Sequence, residues 1–292
     1  MPVSTSGTRK SSTATPVDAP IVPRKKAAVL EKFSVYSEDH TGDPNFMTSL
    51  SRGLMVIEAF TAQMPQMTIS QVSQRTGLSR AAVRRCLYTL SKLGFVGCDD
   101  GQRFTLRARI LSLSHAFTRS STLAHAAQPL LDRLSHKLNE SCSVATFEGD
   151  EIVYIARASV ARIMAVDLTV GSRLPAFCTS MGRVMLAHKP TAELESYLSR
   201  VKLHRYTPRT INSVEKLRQV LKNVERYGYA LVDQELEIGL RSLAVPVRSP
   251  SGKVIASINV GAQAQRMPIP DLQTRYLQHL MEASQELTMM LR

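Results

Sequence analysis

The chain has 292 residues, with 37 Lys and Arg against 24 Asp and Glu and a formal net charge of +13. That length suits two domains better than one. No apolar run approaches the about eighteen residues of a membrane-spanning helix, and the Arg9-Lys10 pair lacks the apolar segment that follows in a secretory leader. The four cysteines, Cys86, Cys98, Cys142 and Cys178, show neither metal-ligand spacing nor the density of a small secreted domain, and they read as reduced thiols in a cytoplasm.

The charge is unevenly spread. Residues 47–120 carry ten basic and three acidic side chains, so +7 of the +13 sits there. A polyanion such as double-stranded DNA is the partner this implies. A membrane surface would also attract it, but the segment offers no amphipathic anchor with exposed aromatics. Residues 1–45 are rich in Ser, Thr and Pro and unpatterned, which predicts a disordered tail in which the basic run Arg24 to Lys26 is solvated.

A winged helix-turn-helix is predicted over 46–108. Leu50, Leu54, Ile57 and Phe60 form one stripe of a first helix in LSRGLMVIEAFTA. A second helix runs from Thr68 to Arg75, breaks at Gly77-Leu78, and is followed by a third from Arg80 to Lys92 with Ser79 as its cap. In the third helix Val83, Cys86, Leu87 and Leu90 share one face, while Ala81, Arg84, Arg85, Tyr88 and Lys92 share the other. An apolar back with a cationic front is what a major-groove helix needs, and Ser79, Arg80, Ala81, Arg84, Arg85 and Tyr88 are the candidate contacts. For this helix taken alone, a solvated basic face is the competing reading. Phe95-Val96, Asp100-Gly101 and Arg103 to Leu106 then read as strand, turn and strand, the wing. From it Arg103, Arg107 and Arg109 are placed to reach flanking phosphates.

A linking helix is expected over 109–122. Leu123, Ala127, Leu130, Leu131, Leu134 and Leu138 follow as an apolar stripe that either pairs two copies of the chain or packs on the chain's own second domain. Pro129 inside it predicts a kink or a fresh start. The remainder, to residue 292, is predicted to be an effector-binding and oligomerisation domain of α+β class, with helices against an antiparallel sheet. Its strand-like runs are SCSVATFEG, EIVYIARAS, RIMAVDL and the hairpin LRSLAVPVRSPSGKVIASINVGAQ. Its helices are MGRVMLAHK, Thr191 to Arg200, Ser213 to Tyr227, and one opened by Pro270 with Tyr276, Leu280, Ala283, Leu287 and Leu291 on one face.

Enzyme signatures are absent: no GxSxG, no HExxH, no Gly-rich phosphate loop and no GxGxxG. The seven histidines lack ligand spacing. Neither a metal nor a cofactor is expected. Cys178-Thr179-Ser180 reads either as a nucleophile without an identifiable base or as a loop with a capping hydroxyl. Thr179 and Ser180 precede a helix whose first N–H groups suit a carboxylate. Ser257, Asn259 and Gly261 share one face of the last strand, either open to solvent or facing the same hollow as Thr179.

The order LSRGLMVIEAF, TISQVSQRTGLSRAAVRRCLYTLSKLGFV, GSRLPAFCTSMGRVMLA, GYALVDQELEIGLRSLAVPV and GKVIASINVGAQ resembles the IclR family of bacterial transcription regulators over residues 47 to 292. The resemblance implies a winged helix-turn-helix, a linking helix and a GAF-like effector domain. It also implies a homodimer or dimer of dimers on promoter DNA. Within the family, the motifs look most like regulators of aromatic-acid degradation, those of the β-ketoadipate pathway above all. This implies β-ketoadipate as effector, with 4-hydroxybenzoate or protocatechuate as the alternative, and activation through RNA polymerase. Carried across, the family's effector contacts fall on Ser180, Met181, Asp233, Ser242, Asn259 and Gly261. Val232 and Ser242 replace the family's acidic and thiol positions, a departure that suits a larger effector than a 2-oxo acid. For a dicarboxylate, the candidate cations are Arg157, Arg162, Arg183 and Arg241.

Overall fold

The computed structural model describes residues 42–160 and 168–291. The expected tail up to residue 41, the strand expected over RIMAVDL up to residue 167, and Arg162 lie outside them. The chain forms two compact units that part between Leu113 and Ser114, within the segment expected to link the domains.

The first unit contains α1 (Thr48–Glu58), β1 (Gln66–Met67), α2 (Ile69–Thr76), α3 (Arg80–Lys92), β2 (Val96–Gly97) and β3 (Phe104–Leu106), with the three strands in the order β1-β3-β2. Thr68 and Gln71 close a reciprocal capping box at the start of α2, satisfying two otherwise unpaired N–H groups. The first-helix stripe differs from expectation. Ser51, Met55, Val56 and Ala59 face the core, whereas Leu50 and Leu54 are 58% and 41% exposed. The buried face is turned by one residue, about 100°, from the leucines. Ile57 and Phe60 are half-buried against the same core.

The boundary lies in α4 (Leu111–Ser120), and Ser121 then caps α5 (Thr122–Leu138). Helix α5 continues through Pro129. Its stripe Ala127, Leu130, Leu131, Leu134 and Leu138 is buried in the second unit's own core, which decides between the two readings of that stripe.

The second unit is the expected α+β layer structure. Its strands are β4 (Ser141–Glu148), β5 (Glu151–Ala158), β6 (Arg173–Pro175), β7 (Ala230–Asp233), β8 (Leu240–Arg248) and β9 (Val254–Gln263). They form one antiparallel sheet in the order β6-β5-β4-β9-β8-β7. One face packs on α5 and α9 (Ile269–Met290) through Val144, Val245, Ile258, Val260, Leu272 and Leu280. The other packs on α6 (Ser180–Ala187), α7 (Thr191–Arg200) and α8 (Val214–Tyr227) through Ala145, Ile152, Met181, Leu186, Leu217 and Leu221. Among the described residues no helix is long and apolar enough to cross a membrane, and no His, Cys, Asp and Glu group could hold a metal ion.

Candidate functional site

In the first unit the candidate surface is α3 with the wing. Gly77 adopts φ 74°, a left-handed conformation open to glycine without steric cost, and turns the chain from α2 towards α3. Ser79 is extended and accepts from the Ala82 N–H at 3.2 Å, so its hydroxyl starts the helix. Val83, Leu87 and Leu90 are buried, which leaves Arg80, Ala81, Arg84, Arg85, Tyr88 and Lys92 exposed on the other side. The Lys92 ammonium lies 5.5 Å from the centre of the Tyr88 ring, a cation–π contact that extends the cationic face over an aromatic.

At the wing tip the Asp100 carboxylate accepts from the N–H groups of Gln102 and Arg103 at 2.9 and 2.6 Å, and these bonds hold its carboxyl below the usual range. Arg103 projects from that turn, exposed. The other two wing arginines have partners within the unit. Arg107 pairs with Asp99 and crosses Gly97, where a Cβ would meet its guanidinium at 1.9 Å. Arg109 packs over the Phe95 ring at 5.4 Å.

The second unit holds a cavity of about 580 Å³ on the α6 side of its sheet. Its floor draws on two rows of residues in register. Arg157 and Asn259 line it from β5 and β9, on either side of the buried Ser143 of β4. Next to them run Ser141, Gly261, Ser242 and Val232 on β4, β9, β8 and β7. A bulge sets this arrangement: Ala156 pairs with Val144 and Tyr154 with Ala145, which leaves Ile155 without a partner. An extra residue reverses the in-out alternation, so Tyr154 and Arg157 both line the cavity although three positions apart. The roof includes Cys178, Thr179 and Ser180 at the start of α6 and the loop Leu236 to Gly239.

Three polar atoms of the lining residues, Ser180 Oγ, Asn259 Oδ1 and Arg157 Nε, are buried with no hydrogen-bond partner among the described residues. Each such group costs about 1–3 kcal/mol when unmet, so three on residues around one cavity set it apart as the candidate site. Arg157 is also anchored: one terminal nitrogen donates to Ser143 Oγ at 2.9 Å, and the guanidinium lies 5.9 Å from the Tyr154 ring centre. Thr179 is committed to the helix, its hydroxyl accepting from the Gly182 N–H at 3.2 Å and donating to the Pro175 carbonyl at 3.1 Å. With Gly182 and Arg183 N–H both bonded to Thr179, the Ser180 and Met181 N–H groups are those without an acceptor inside α6. Burial pushes the Cys178 thiol up to about 12 and the Tyr154 hydroxyl up to about 12. A buried thiol held so far towards its protonated form is a poor nucleophile.

Of the sequence candidates, Thr179, Ser180, Ser242, Asn259 and Gly261 line the cavity together. Met181 and Asp233 do not join them. The Met181 side chain enters the core between sheet and helices, 1% exposed. Asp233 binds Arg241 Nε at 2.5 Å and also pairs with Arg209. Burial raises its carboxyl, but bonds from Arg241 and Gln234 and the charges of Arg241 and Arg209 outweigh that and leave it lowered. The arginines separate in the same way. Arg183 is 1% exposed and bidentate to Glu235 at 2.6 and 2.7 Å. Arg241 also donates to the Ala264 and Met267 carbonyls at 2.9 and 2.8 Å. Arg157 is the cation on the cavity wall among the described residues; of the acids there, Glu140 is paired with Arg266 and Glu237 is exposed.

Comparison with known proteins agrees with both units. The bacterial transcriptional regulator IclR C-terminal domain matches residues 115–289, and the IclR helix-turn-helix domain matches residues 49–100. The chain is 46% identical over 275 residues to the Pca regulon regulatory protein of Pseudomonas putida, across 94% of this chain and 93% of that one. It is 31% identical to the p-hydroxybenzoate hydroxylase transcriptional activator of Acinetobacter baylyi, across 80% and 87%. Its fold is similar to the crystal structure of an IclR homolog from Microbacterium hydrocarbonoxydans complexed with 4-hydroxybenzoate, with a TM-score of 0.72, 27% identity and coverage of 84% and 99%. The two matched segments account for most of the chain and the relatives are regulators by name, so this protein belongs to the IclR family of bacterial transcriptional regulators and is a DNA-binding regulator, not an enzyme.

Proposed function

We propose that this protein controls genes of aromatic-acid catabolism in response to β-ketoadipate, which binds in the second unit's cavity and activates transcription through RNA polymerase. The observation that carries the effector assignment is the pair of unmet donors, Ser180 Oγ and Arg157 Nε, on residues of one cavity. The Pseudomonas relative is by name a pca regulon regulator, which supports the pathway, and the Acinetobacter relative is by name an activator, which supports the sign. One carboxylate sits at the start of α6, accepting from Ser180 Oγ and the free first-turn N–H groups. An anion there gains about 0.3–1 kcal/mol from the helix dipole, too little to hold a ligand alone. The second carboxylate therefore takes Arg157 and the amide N–H of Asn259 across the sheet. Two charged ends held at fixed separation make the cavity a ruler, since a monocarboxylate leaves one set of buried donors unpaired.

A second reading is an aromatic acid such as 4-hydroxybenzoate, favoured by the Microbacterium complex and by the apolar walls Tyr154, Leu174 and Leu236. Titration calorimetry separates the two. β-Ketoadipate and adipate are expected to bind more tightly than succinate, pyruvate and 4-hydroxybenzoate. Removing Ser180 Oγ and the Asn259 amide by alanine substitution should cost about 1.5–3 kcal/mol for each charged hydrogen bond removed. Tighter binding of 4-hydroxybenzoate than of either six-carbon diacid overturns the dicarboxylate assignment.

A further inference from the structure

Residues outside the cavity also hold Arg157. Strand β6 pairs with β5 only over Glu151 to Val153, and Tyr154 then bonds to the turn at Gly171 and Ser172. Beyond that point, among the described residues, the side chain of Gln128 reaches the edge of β5. The Gln128 carbonyl accepts from the Arg157 N–H at 3.3 Å, and its amide nitrogen donates to the Arg157 carbonyl at 3.1 Å. The same nitrogen donates to Asp132 at 2.9 Å, so three bonds agree on the orientation of the amide. Gln128 stands on α5, and the next residue is Pro129. A proline inside a helix has no N–H for the carbonyl four positions earlier, here that of His125, and so interrupts the ladder at that turn. The turns ahead of it, Thr122 to Gln128, follow α4 in the chain, and α4 holds the boundary between the two units.

From this we propose that Gln128 is a positioning residue: it holds the β5 edge so that Arg157 presents its guanidinium to the effector, and it carries the occupied state of Arg157 to the first turns of α5. The proposal rests on the effector reading above. An anion on Arg157 draws on a residue whose main chain is fastened on both sides, to β4 and to Gln128. Its displacement therefore reaches α5 at the turn where Pro129 leaves one hydrogen bond of the ladder unmade, and from there the chain leads to the DNA-binding unit.

The test is the ratio of operator affinities with and without saturating β-ketoadipate, measured on the full chain. Coupling of this kind amounts to about 5–150-fold. Gln128→Met keeps the length and apolar packing of the side chain and removes all three bonds. It is expected to leave operator affinity without effector unchanged and to bring the ratio to within about twofold of one, well below that range. A residue of merely structural importance would lower the melting temperature and leave the ratio intact, and an intact ratio overturns the proposal. In the unsubstituted protein, amide exchange at Arg157 and over residues 122–128 is expected to slow severalfold on adding β-ketoadipate. Exchange that does not change there overturns it as well, whether or not the variant folds. If calorimetry shows no binding of β-ketoadipate to the unsubstituted protein, the effector reading falls and this proposal with it. If β-ketoadipate binds and the Met variant keeps its full ratio, this proposal alone falls.

Discussion

Arg84 and Arg85 stand on the solvent side of α3, opposite the buried Val83, Leu87 and Leu90. Replacing either by alanine leaves the core untouched, so the chain should stay folded while operator binding weakens. If the arginine reads a base, the substitution costs about 1–3 kcal/mol and relaxes preference at one position; if it holds a phosphate, binding to all sequences weakens alike and the salt slope falls by about one. Fluorescence anisotropy across a salt series distinguishes the two, and wild-type affinity in both variants would remove α3 as the recognition helix. Arginines elsewhere in the chain have other tasks. Arg183 reaches three acceptors from a fully buried position: the two Glu235 oxygens and, through Nε at 2.8 Å, the Phe177 carbonyl. Its fixed fork geometry suits such a place. Glu235 in turn accepts from the Ile211 N–H at 3.0 Å, so the pair ties α6 and the segment before α8 to the loop that follows Glu235. Nothing in the sequence separates Arg183 from Arg157, because spacing records which residues neighbour along the chain and not which acid a fold brings across from 52 positions away.

At the scale of elements, α6 depends on one glycine. A Cβ at Gly182 would stand 2.2 Å from the Ala176 carbonyl oxygen and 2.4 Å from the Ala176 Cα. Backbone on both sides cannot yield as a flexible side chain would. Gly182→Ala should therefore push α6 off the turn at Ala176 to Cys178, lowering stability by about 1–3 kcal/mol as overpacking does. It should also weaken effector binding, because Thr179 and Ser180 move with the helix. Chemical denaturation and calorimetry on the same variant check both effects, and an unchanged denaturation midpoint would show that the contact is not tight in solution. Elements of this length are readable from sequence. Thr191–Arg200, the Ser213 cap and the face from Tyr276 to Leu287 all follow from periodicity and capping chemistry. Strands β1, β6 and β7, of two to four residues, are too short for alternation to show. The bulge at Ile155 is hidden for a different reason: it inverts the alternation on which a strand reading depends, so Arg157 and Tyr154 appear to face opposite ways until the pairing is known. Gln128 carries no signal at all, since an amide on a helix looks solvated unless a strand edge is known to lie beside it.

For the whole molecule, the apolar stripe of α5 is spent inside the second unit, so it offers nothing to a second copy. Apolar side chains do remain exposed elsewhere: Leu50 and Leu54 on α1, and Leu111, Leu113 and Phe117 on α4. Large apolar side chains grouped on neighbouring helical turns are characteristic of association surfaces. The protein is expected to be a homodimer or a dimer of dimers, with paired α3 helices on half-sites spaced by about one helical turn or a multiple of it. Leu50→Glu with Leu54→Glu should shift sedimentation towards monomer and abolish binding to a two-half-site operator. A stable unsubstituted monomer on a single half-site would refute the assembly.

The short strand β1 carries a mechanical implication for the operator. Gln66 and Met67 pair with Thr105 and Phe104 of the wing, and the next residue, Thr68, caps α2. The wing is thus tied to the helix that precedes α3, so that the groove contact proposed for α3 and the phosphate contact proposed for the wing would move as one caliper. A caliper cannot lengthen its own footprint. In the proposed dimer, an effector would then change how two calipers stand relative to each other or what they present to polymerase, while the bases touched by each remain the same.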